Sequence, residues 1–317
     1  MERSREIAGR LGRAAQTAMT GVARWTADSV SPRAAAAFRV ARTAGHAFFD
    51  GLALVECGVC GVPLADESRP VCAPCAARLP WWRRADGCPR CGMPVDPAVP
   101  GSEAGWGGGD EMVAGCPACL VAGSPLHLCL SATRYAGPLP GLVLGFKNPR
   151  GPFGPRPSTW RAIEYLADEL TTRIQCELGV RPDFVVPIPL HPRRLQRRGF
   201  NAADLIARRI AWRLGRPFDP ALLERIRHTG SQAGRPAPER RENLRGAFRV
   251  RRSLPGCGGR IFLVDDVLTT GSTLEAAANA LLAAGAREVW ALTLSATVAR
   301  RRAGAERGTY ARPPHQP

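Results

Sequence analysis

The sequence predicts an α/β protein: an open, mainly parallel sheet with helices on both faces, preceded by a small cysteine-rich module. Three observations carry that expectation. Residues 128–135, 184–190, 261–267 and 288–294 read as short strands. Segments of helical periodicity lie between them, the order that parallel strands with returning helices require. Ahead of this region, eight of the 11 cysteines fall into four Cys-x-x-Cys pairs.

Residues 1–50 are rich in Ala and Arg and carry no strong apolar stripe, so they are expected to be a basic, poorly ordered extension. Residues 51–124 form the cysteine module. Its pairs are Cys57/Cys60, Cys72/Cys75, Cys88/Cys91 and Cys116/Cys119, with 11 residues between Cys60 and Cys72 and 24 between Cys91 and Cys116. Two thiolates three positions apart, on a turn with Gly or Pro, can face one tetrahedral Zn²⁺, and Cys57-Gly-Val-Cys60-Gly and Cys88-Pro-Arg-Cys91-Gly have that knuckle form. Eight such ligands make two structural Zn sites, a double zinc-ribbon module, paired either in sequence or interleaved. A redox dithiol usually needs one pair rather than four. Cys129, Cys176 and Cys257 read as ordinary free thiols. A module this small has little core, so metal would supply much of its folding free energy. Residues 96–110 read as a floppy ribbon tip, and Trp81-Trp82 as a seat for the module against the sheet.

The second domain is expected over residues 125–300. Helices are predicted at 139–146, at 159–176 with Ser158 as cap, at 201–214, and at 273–284 ended by Gly285. Residues 220–260 break the pattern; they are rich in Arg and Pro and long for a loop, which marks a functional segment. The tail, 301–317, is charged and then Pro-rich, and reads as disordered.

Composition narrows the function classes. The chain has 317 residues, 45 % hydrophobic and 22 % charged, close to the globular average, which argues against a disordered chain. Its longest apolar stretch, 48–59, is too short to span a bilayer and holds Asp50 and Glu56. No export signal is visible in residues 1–21, so the cytoplasm is the expected location and metal ligation the expected use of the thiols. Net charge +17 points to an anionic partner. The surplus concentrates in residues 181–260, which hold 19 Arg against 6 acidic residues. There are 43 Arg and a single Lys, Lys147.

The most specific stretch is Ile261-Phe-Leu-Val-Asp265-Asp266-Val-Leu-Thr269-Thr270-Gly271-Ser272-Thr273. A buried strand ends in two adjacent carboxylates, then a hydroxyl- and Gly-rich turn opens a helix. Ligands of open α/β sheets bind at the carboxyl ends of strands. Backbone N–H groups at a helix N-terminus hold phosphate, whereas carboxylates accept hydrogen bonds from sugar hydroxyls. The pattern therefore predicts one pocket for a sugar phosphate. It has neither the Gly-x-x-x-x-Gly-Lys run of a Walker loop nor a dinucleotide fingerprint.

This stretch resembles the signature of the type I phosphoribosyltransferases. More narrowly, residues 52–298 resemble the ComF family, a paired zinc-ribbon N-terminus followed by a phosphoribosyltransferase domain. Further matching stretches are residues 142–147, ending in Lys147; Val186-Pro-Ile-Pro-Leu190 with Arg193, Arg194, Arg197 and Arg198-Gly-Phe-Asn201; Ser231-Gln232; and Glu239-Arg240 with Asn243-Leu-Arg-Gly-Ala-Phe248. The resemblance implies a site for Mg²⁺-phosphoribosyl pyrophosphate. Asp265 and Asp266 would hold the ribose hydroxyls, directly or through Mg²⁺. Leu268, Thr269, Thr270, Gly271, Ser272 and Thr273 would cradle the 5′-phosphate. Leu190, His191, Arg193 and Arg194 would bind pyrophosphate, and residues 228–245 would close as a lid bearing Arg240. Arg194, Arg240 and Lys147 would offset the leaving charge, with Asp265, Asp266, Arg194 and Lys147 as the catalytic set. The expected activity is transfer of ribosyl 5-phosphate to an acceptor that no motif identifies. The resemblance also implies a second role, as an accessory factor in uptake of single-stranded DNA alongside DNA-uptake proteins, with the phosphate site regulatory. Two departures stand out. Asn148-Pro-Arg-Gly-Pro-Phe-Gly-Pro155 replaces a shorter turn, and Arg235-Pro-Ala-Pro238 replaces an apolar-Ser/Thr step in the lid, which bears on closure more than on binding.

Overall fold

The computed structural model describes residues 55–66, 68–83, 86–93, 116, 119, 123–148, 155–227, 243–252, 254 and 259–297. The expected extension (1–50), ribbon tip (96–110) and tail (301–317) lie outside them, as do residues 228–242 of the expected lid.

Among the described residues of the cysteine module is a short helix, α1 (Ala73–Ala77). Then β1 (Leu128–Arg134) leads into α2 (Leu139–Lys147) and α3 (Pro157–Arg173), the latter closed by a π turn over Ile174–Leu178. Next come β2 (Phe184–Pro187), α4 (Pro192–Arg198), α5 (Ala202–Leu214), β3 (Leu223–Arg225), β4 (Phe248–Val250), β5 (Arg260–Leu268), α6 (Ser272–Ala283) and β6 (Glu288–Ala296). Among the described residues, four strands form a sheet in the order β1-β6-β5-β2, every neighbouring pair parallel. Leu263 lies level with Val186 on one side and Ala291 on the other.

Both faces are covered because successive strand residues point to opposite sides. Leu128, Leu130, Phe262, Val264, Trp290 and Leu292 pack against Ile163, Leu166 and Leu170 of α3 and Ile206 and Ile210 of α5. Cys129, Val186, Ile261, Leu263, Val289 and Ala291 pack against Leu274, Ala277, Ala278 and Leu281 of α6. Each large apolar side chain fully buried here contributes roughly 1.5–3 kcal/mol. β3 and β4 pair antiparallel, and Leu222, Leu223 and Phe248 join the α6 side.

Several local expectations are corrected. Ser158 does not cap α3: the helix starts at Pro157, preceded by Arg156 with no side-chain cap. Proline suits that first position, where no N–H is needed. The Arg-rich stretch after Leu190, where no helix was predicted, contains α4, which starts after His191 and stops at Gly199, whose φ of 80° few other residues adopt. Asn201 caps α5 instead of belonging to it, its side chain accepting from Ala203 N.

The cysteine module is joined to the sheet through backbone. Arg134 N donates to Pro80 O (2.7 Å), Trp82 N to Ala132 O (3.0 Å) and Cys129 N to Pro89 O (2.7 Å), so the run after α1 follows the outer edge of β1. Trp82 is buried on the α6 side, while Trp81 meets Tyr165 of α3 edge-on at 5.9 Å. No helix among the described residues is long and apolar enough to cross a membrane.

Candidate functional site

The eight paired cysteines group in sequence. Cys57, Cys60, Cys72 and Cys75 form one cluster and Cys88, Cys91, Cys116 and Cys119 the other, with all four sulfurs of each within 4.8 Å of one another. Cys60 and Cys72 Sγ are 3.8 Å apart; Cys88 and Cys119 Sγ, and Cys91 and Cys116 Sγ, are 3.9 Å apart. A tetrahedron with Zn–S bonds of 2.3 Å has edges of about 3.8 Å, so the sulfurs already stand at that spacing. A disulfide would need about 2.05 Å. Backbone N–H groups point into both clusters: Cys72 N donates to Cys57 Sγ and Cys116 N to Cys88 Sγ. Burial opposes ionisation of Cys57, yet N–H donors from Cys72, Cys60 and Val59 draw its thiol down to about 6. Cys75 is pushed the other way by burial and by the neighbouring sulfurs. Four thiols this close cannot all ionise without a cation, and a divalent metal held there would supply that charge. Of the other cysteines, Cys129 is buried and Cys176 exposed; Cys257 lies outside the described residues.

The acidic pair sits at the end of β5. Asp266 is buried, and its Oδ1 lies 2.8 Å from Lys147 Nζ at the end of α2. Asp265 Oδ1 accepts from the Asp266 N–H at 2.8 Å. Burial, then the adjacent Asp266 charge, pushes the Asp265 carboxyl up to about 7, with Lys147 pulling against both. A cation placed beside Asp265 would favour its ionised form.

Arginines surround this pair. On α4, Arg194 and Arg198 are half-buried while Arg193 and Arg197 are exposed, the division expected for neighbours one helical turn apart. Arg198 is held below its ordinary value by burial and by Arg194, against the attraction of Asp266 and Asp265. Arg225 of β3 is buried over the Phe248 ring and lowered by burial and by Arg194, with Asp265 opposing. Sequence reasoning left Arg225 out. A three-residue strand gives no periodicity to find it by, and one Arg among 43 does not stand out.

Leu190 and His191 follow β2, and His191 caps α4 by accepting from Arg193 N at 3.3 Å. Asn201 Nδ2 donates to Ile188 O (2.9 Å) and Asp204 Oδ1 (3.0 Å), tying this loop to the start of α5. Beyond the acidic pair, Leu268 is buried, Thr269 exposed and Thr270 half-buried. Gly271 takes φ 75° immediately before α6, and Thr270 and Ser272 hydroxyls lie 3.0 Å apart. The helix start leaves its first N–H groups without intrahelical partners, beside these hydroxyls and close to the carboxylates. Thr297 N donates to Leu268 O at 2.8 Å, fixing the turn from β6. The structure thus brings Asp265, Asp266, Lys147 and the residues 268–273 together, with α4 facing them; Arg240 lies outside the described residues.

Residues 159–309 match the model of the phosphoribosyl transferase domain family. The DNA utilization protein YhgH of Salmonella typhimurium is 34 % identical over 240 residues, covering 74 % of this chain and 95 % of that protein. Competence protein F of Haemophilus influenzae is 39 % identical over 116 residues, 35 % of this chain and 50 % of that one. Among solved structures, a glutamine phosphoribosylpyrophosphate amidotransferase from B. subtilis overlaps 47 % of this chain and 30 % of its own at 21 % identity and a TM-score of 0.32. With two four-cysteine clusters of zinc-ribbon geometry leading a type I phosphoribosyltransferase-like sheet, the chain belongs to the ComF family.

Proposed function

We propose that the end of β5 binds Mg²⁺-phosphoribosyl pyrophosphate and that the protein transfers its ribosyl 5-phosphate to an acceptor, releasing pyrophosphate. The observation that carries this reading is the adjacent Asp265–Asp266 pair, with Lys147 on Asp266, just before the Thr269–Gly271 turn. Residues 268–273 hold the 5′-phosphate through N–H and hydroxyl donors. Asp265 and Asp266 accept from the ribose 2′- and 3′-hydroxyls and supply the carboxylates for Mg²⁺. Bound there, Mg²⁺ would neutralise pyrophosphate oxygens. The bond from the anomeric carbon to pyrophosphate breaks as the acceptor bonds to that carbon. Arg194 and Arg198, with Leu190, His191 and Arg240, take the departing anion, because guanidinium matches paired phosphate oxygens. Calorimetry of wild type and the Asp265→Asn/Asp266→Asn double variant with Mg²⁺-phosphoribosyl pyrophosphate tests the site, and pyrophosphate release with candidate bases and amines tests the transfer. Wild-type binding that the double variant keeps would sink the assignment.

The relatives' names favour a second reading of the same chain: a cytoplasmic accessory factor handling single-stranded DNA, with the sugar-phosphate site regulatory. Net charge +17 supports it. Affinity for single strands that falls steeply with salt, together with no binding of phosphoribosyl pyrophosphate, would select this reading. Each cysteine cluster is proposed to hold one structural Zn²⁺, and elemental analysis of reduced protein should find about two per chain.

A further inference from the structure

The two cysteine clusters lie on different sides of the sheet and touch different things. Around the first cluster, a Cβ on Gly58 would come 2.1 Å from Ser158 O and 2.5 Å from Ala162 Cβ, both on α3. Cys57 accordingly belongs to the core on the α3 side. Around the second, a Cβ on Gly92 would come 2.6 Å from Cys129 Sγ and 2.8 Å from Leu268 Cδ2. Gly92 directly follows Cys91, and its φ of 65° makes it the turn residue of that knuckle. Leu268 is the last residue of β5, one position before the Thr269–Gly271 turn, and is buried with Cys129 and Leu274 of α6 in one core. The same knuckle is also fixed through backbone, since Cys129 N donates to Pro89 O at 2.7 Å. The second cluster thus props the base of the proposed anion cradle, and the first does not.

From this contact we infer that Gly92, and through it the metal at Cys88, Cys91, Cys116 and Cys119, is a positioning element for the sugar-phosphate cradle, so that metal occupancy there and ligand binding at residues 268–273 are thermodynamically linked. The inference rests on the reading of the cradle given above. Its physical basis is contact without slack: Gly92 has no side chain because none fits, so a change in the knuckle is passed to Leu268 and then to the turn. Loss of the second metal lowers affinity for the sugar phosphate, and by reciprocity the bound sugar phosphate raises the affinity for that metal by the same factor. The first metal shares neither effect.

The test uses the full chain loaded with zinc. Calorimetry with Mg²⁺-phosphoribosyl pyrophosphate on Cys88→Ser/Cys91→Ser should show affinity lowered about tenfold or more, within the usual span of coupled sites. Cys57→Ser/Cys60→Ser should change it less than about twofold. Because either pair of changes can unfold its module, Gly92→Ala, which keeps all eight ligands, serves as a second variant and should weaken binding with about two zinc per chain retained. A wild-type measurement avoids substitution altogether: equilibrium competition for zinc with a colorimetric chelator, with and without saturating ligand. One of the two zinc ions should become harder to extract and the other stay unchanged. Equal effects from the two cysteine pairs, or a competition curve indifferent to the ligand, overturn the coupling. Failure of the wild-type chain to bind phosphoribosyl pyrophosphate overturns the reading of the cradle, and the inference falls with it.

Discussion

Asp265→Asn should stabilise the ligand-free protein at alkaline pH while abolishing the site. In the unfolded chain this carboxyl titrates near 3.8; in the fold, burial and the Asp266 charge move it to about 7. A group raised in this way favours the folded state fully below the unfolded value, and that contribution is lost as pH rises through the folded one. At pH 8 the ionised carboxylate therefore works against folding. Converting the difference at about 1.4 kcal/mol per pH unit gives at most roughly 4 kcal/mol, and the partial solvent contact of Asp265 reduces the expected figure to about 2. For a domain of this size that is a rise of roughly 4–8 °C in melting temperature at pH 8, and almost none at pH 4, where the native carboxyl is already neutral. Asp204, half-buried at the start of α5, is also raised to about 6 by loss of solvent, so the pH slope of the wild type alone does not isolate Asp265. The difference between variant and wild type, scanned by thermal unfolding from pH 4 to 8.5, does. The variant should lose the thermal shift that Mg²⁺-phosphoribosyl pyrophosphate gives the wild type. An equal melting temperature for both proteins at pH 8 would refute the claim that this carboxyl is held against its charge.

Three further outcomes follow from the same geometry. Lys147→Met removes the 2.8 Å partner of Asp266 and should cost about 2 kcal/mol in urea unfolding at pH 8, with the loss shrinking toward pH 5 as Asp265 takes up its proton. Arg194→Ala/Arg198→Ala should weaken Mg²⁺-phosphoribosyl pyrophosphate by roughly tenfold or more in calorimetry, while Arg193→Ala/Arg197→Ala, on the exposed face of α4, should weaken it less than about threefold. Gly271→Ala meets no atom closer than 3.8 Å but must keep φ at 75°, so it should cost about 1–2 kcal/mol, read as a lower denaturation midpoint.

The sheet was legible because its strands are buried on both faces. Ile261-Phe-Leu-Val has no polar position at all, and the helices between the strands have caps or stops of the expected kind at Asn201 and Gly285. The carboxylates and the turn after them were legible for another reason: they lie contiguous in sequence. What surrounds them does not. Lys147, named through the family resemblance alone, reaches Asp266 from a helix more than a hundred residues earlier, and Arg225, which was left out, comes from a strand of three residues. Helix α4 was missed because Arg, Gln and Pro fill six of its seven positions, leaving no apolar stripe. Its end signals, Pro192 at the start and Gly199 at the stop, were present and outweighed by composition. The pairing of the cysteines needed three dimensions, since both schemes satisfy the same spacing.

The place where the cysteine module joins the sheet explains why a fold with its own core carries it. β1 is buried except at Arg134, and its one sheet neighbour is β6. Uncovered, its other side would offer a row of open N–H and C=O groups flanked by apolar side chains, a template for pairing with another chain. The run from Pro80 to Pro89 occupies that side, with an Arg134–Asp86 ion pair reinforcing it, and each end of the run leads to a cysteine cluster. The run is flanked by Cys75 on one side and reaches Cys88 on the other, so the two clusters fix its ends. Removing metal would therefore release an edge as well as a module. Metal-stripped protein should self-associate through β1 before the α/β core melts, whereas a module merely tethered to the domain would be lost without changing its oligomeric state. Light scattering during chelation, followed at a temperature well below unfolding, separates the two.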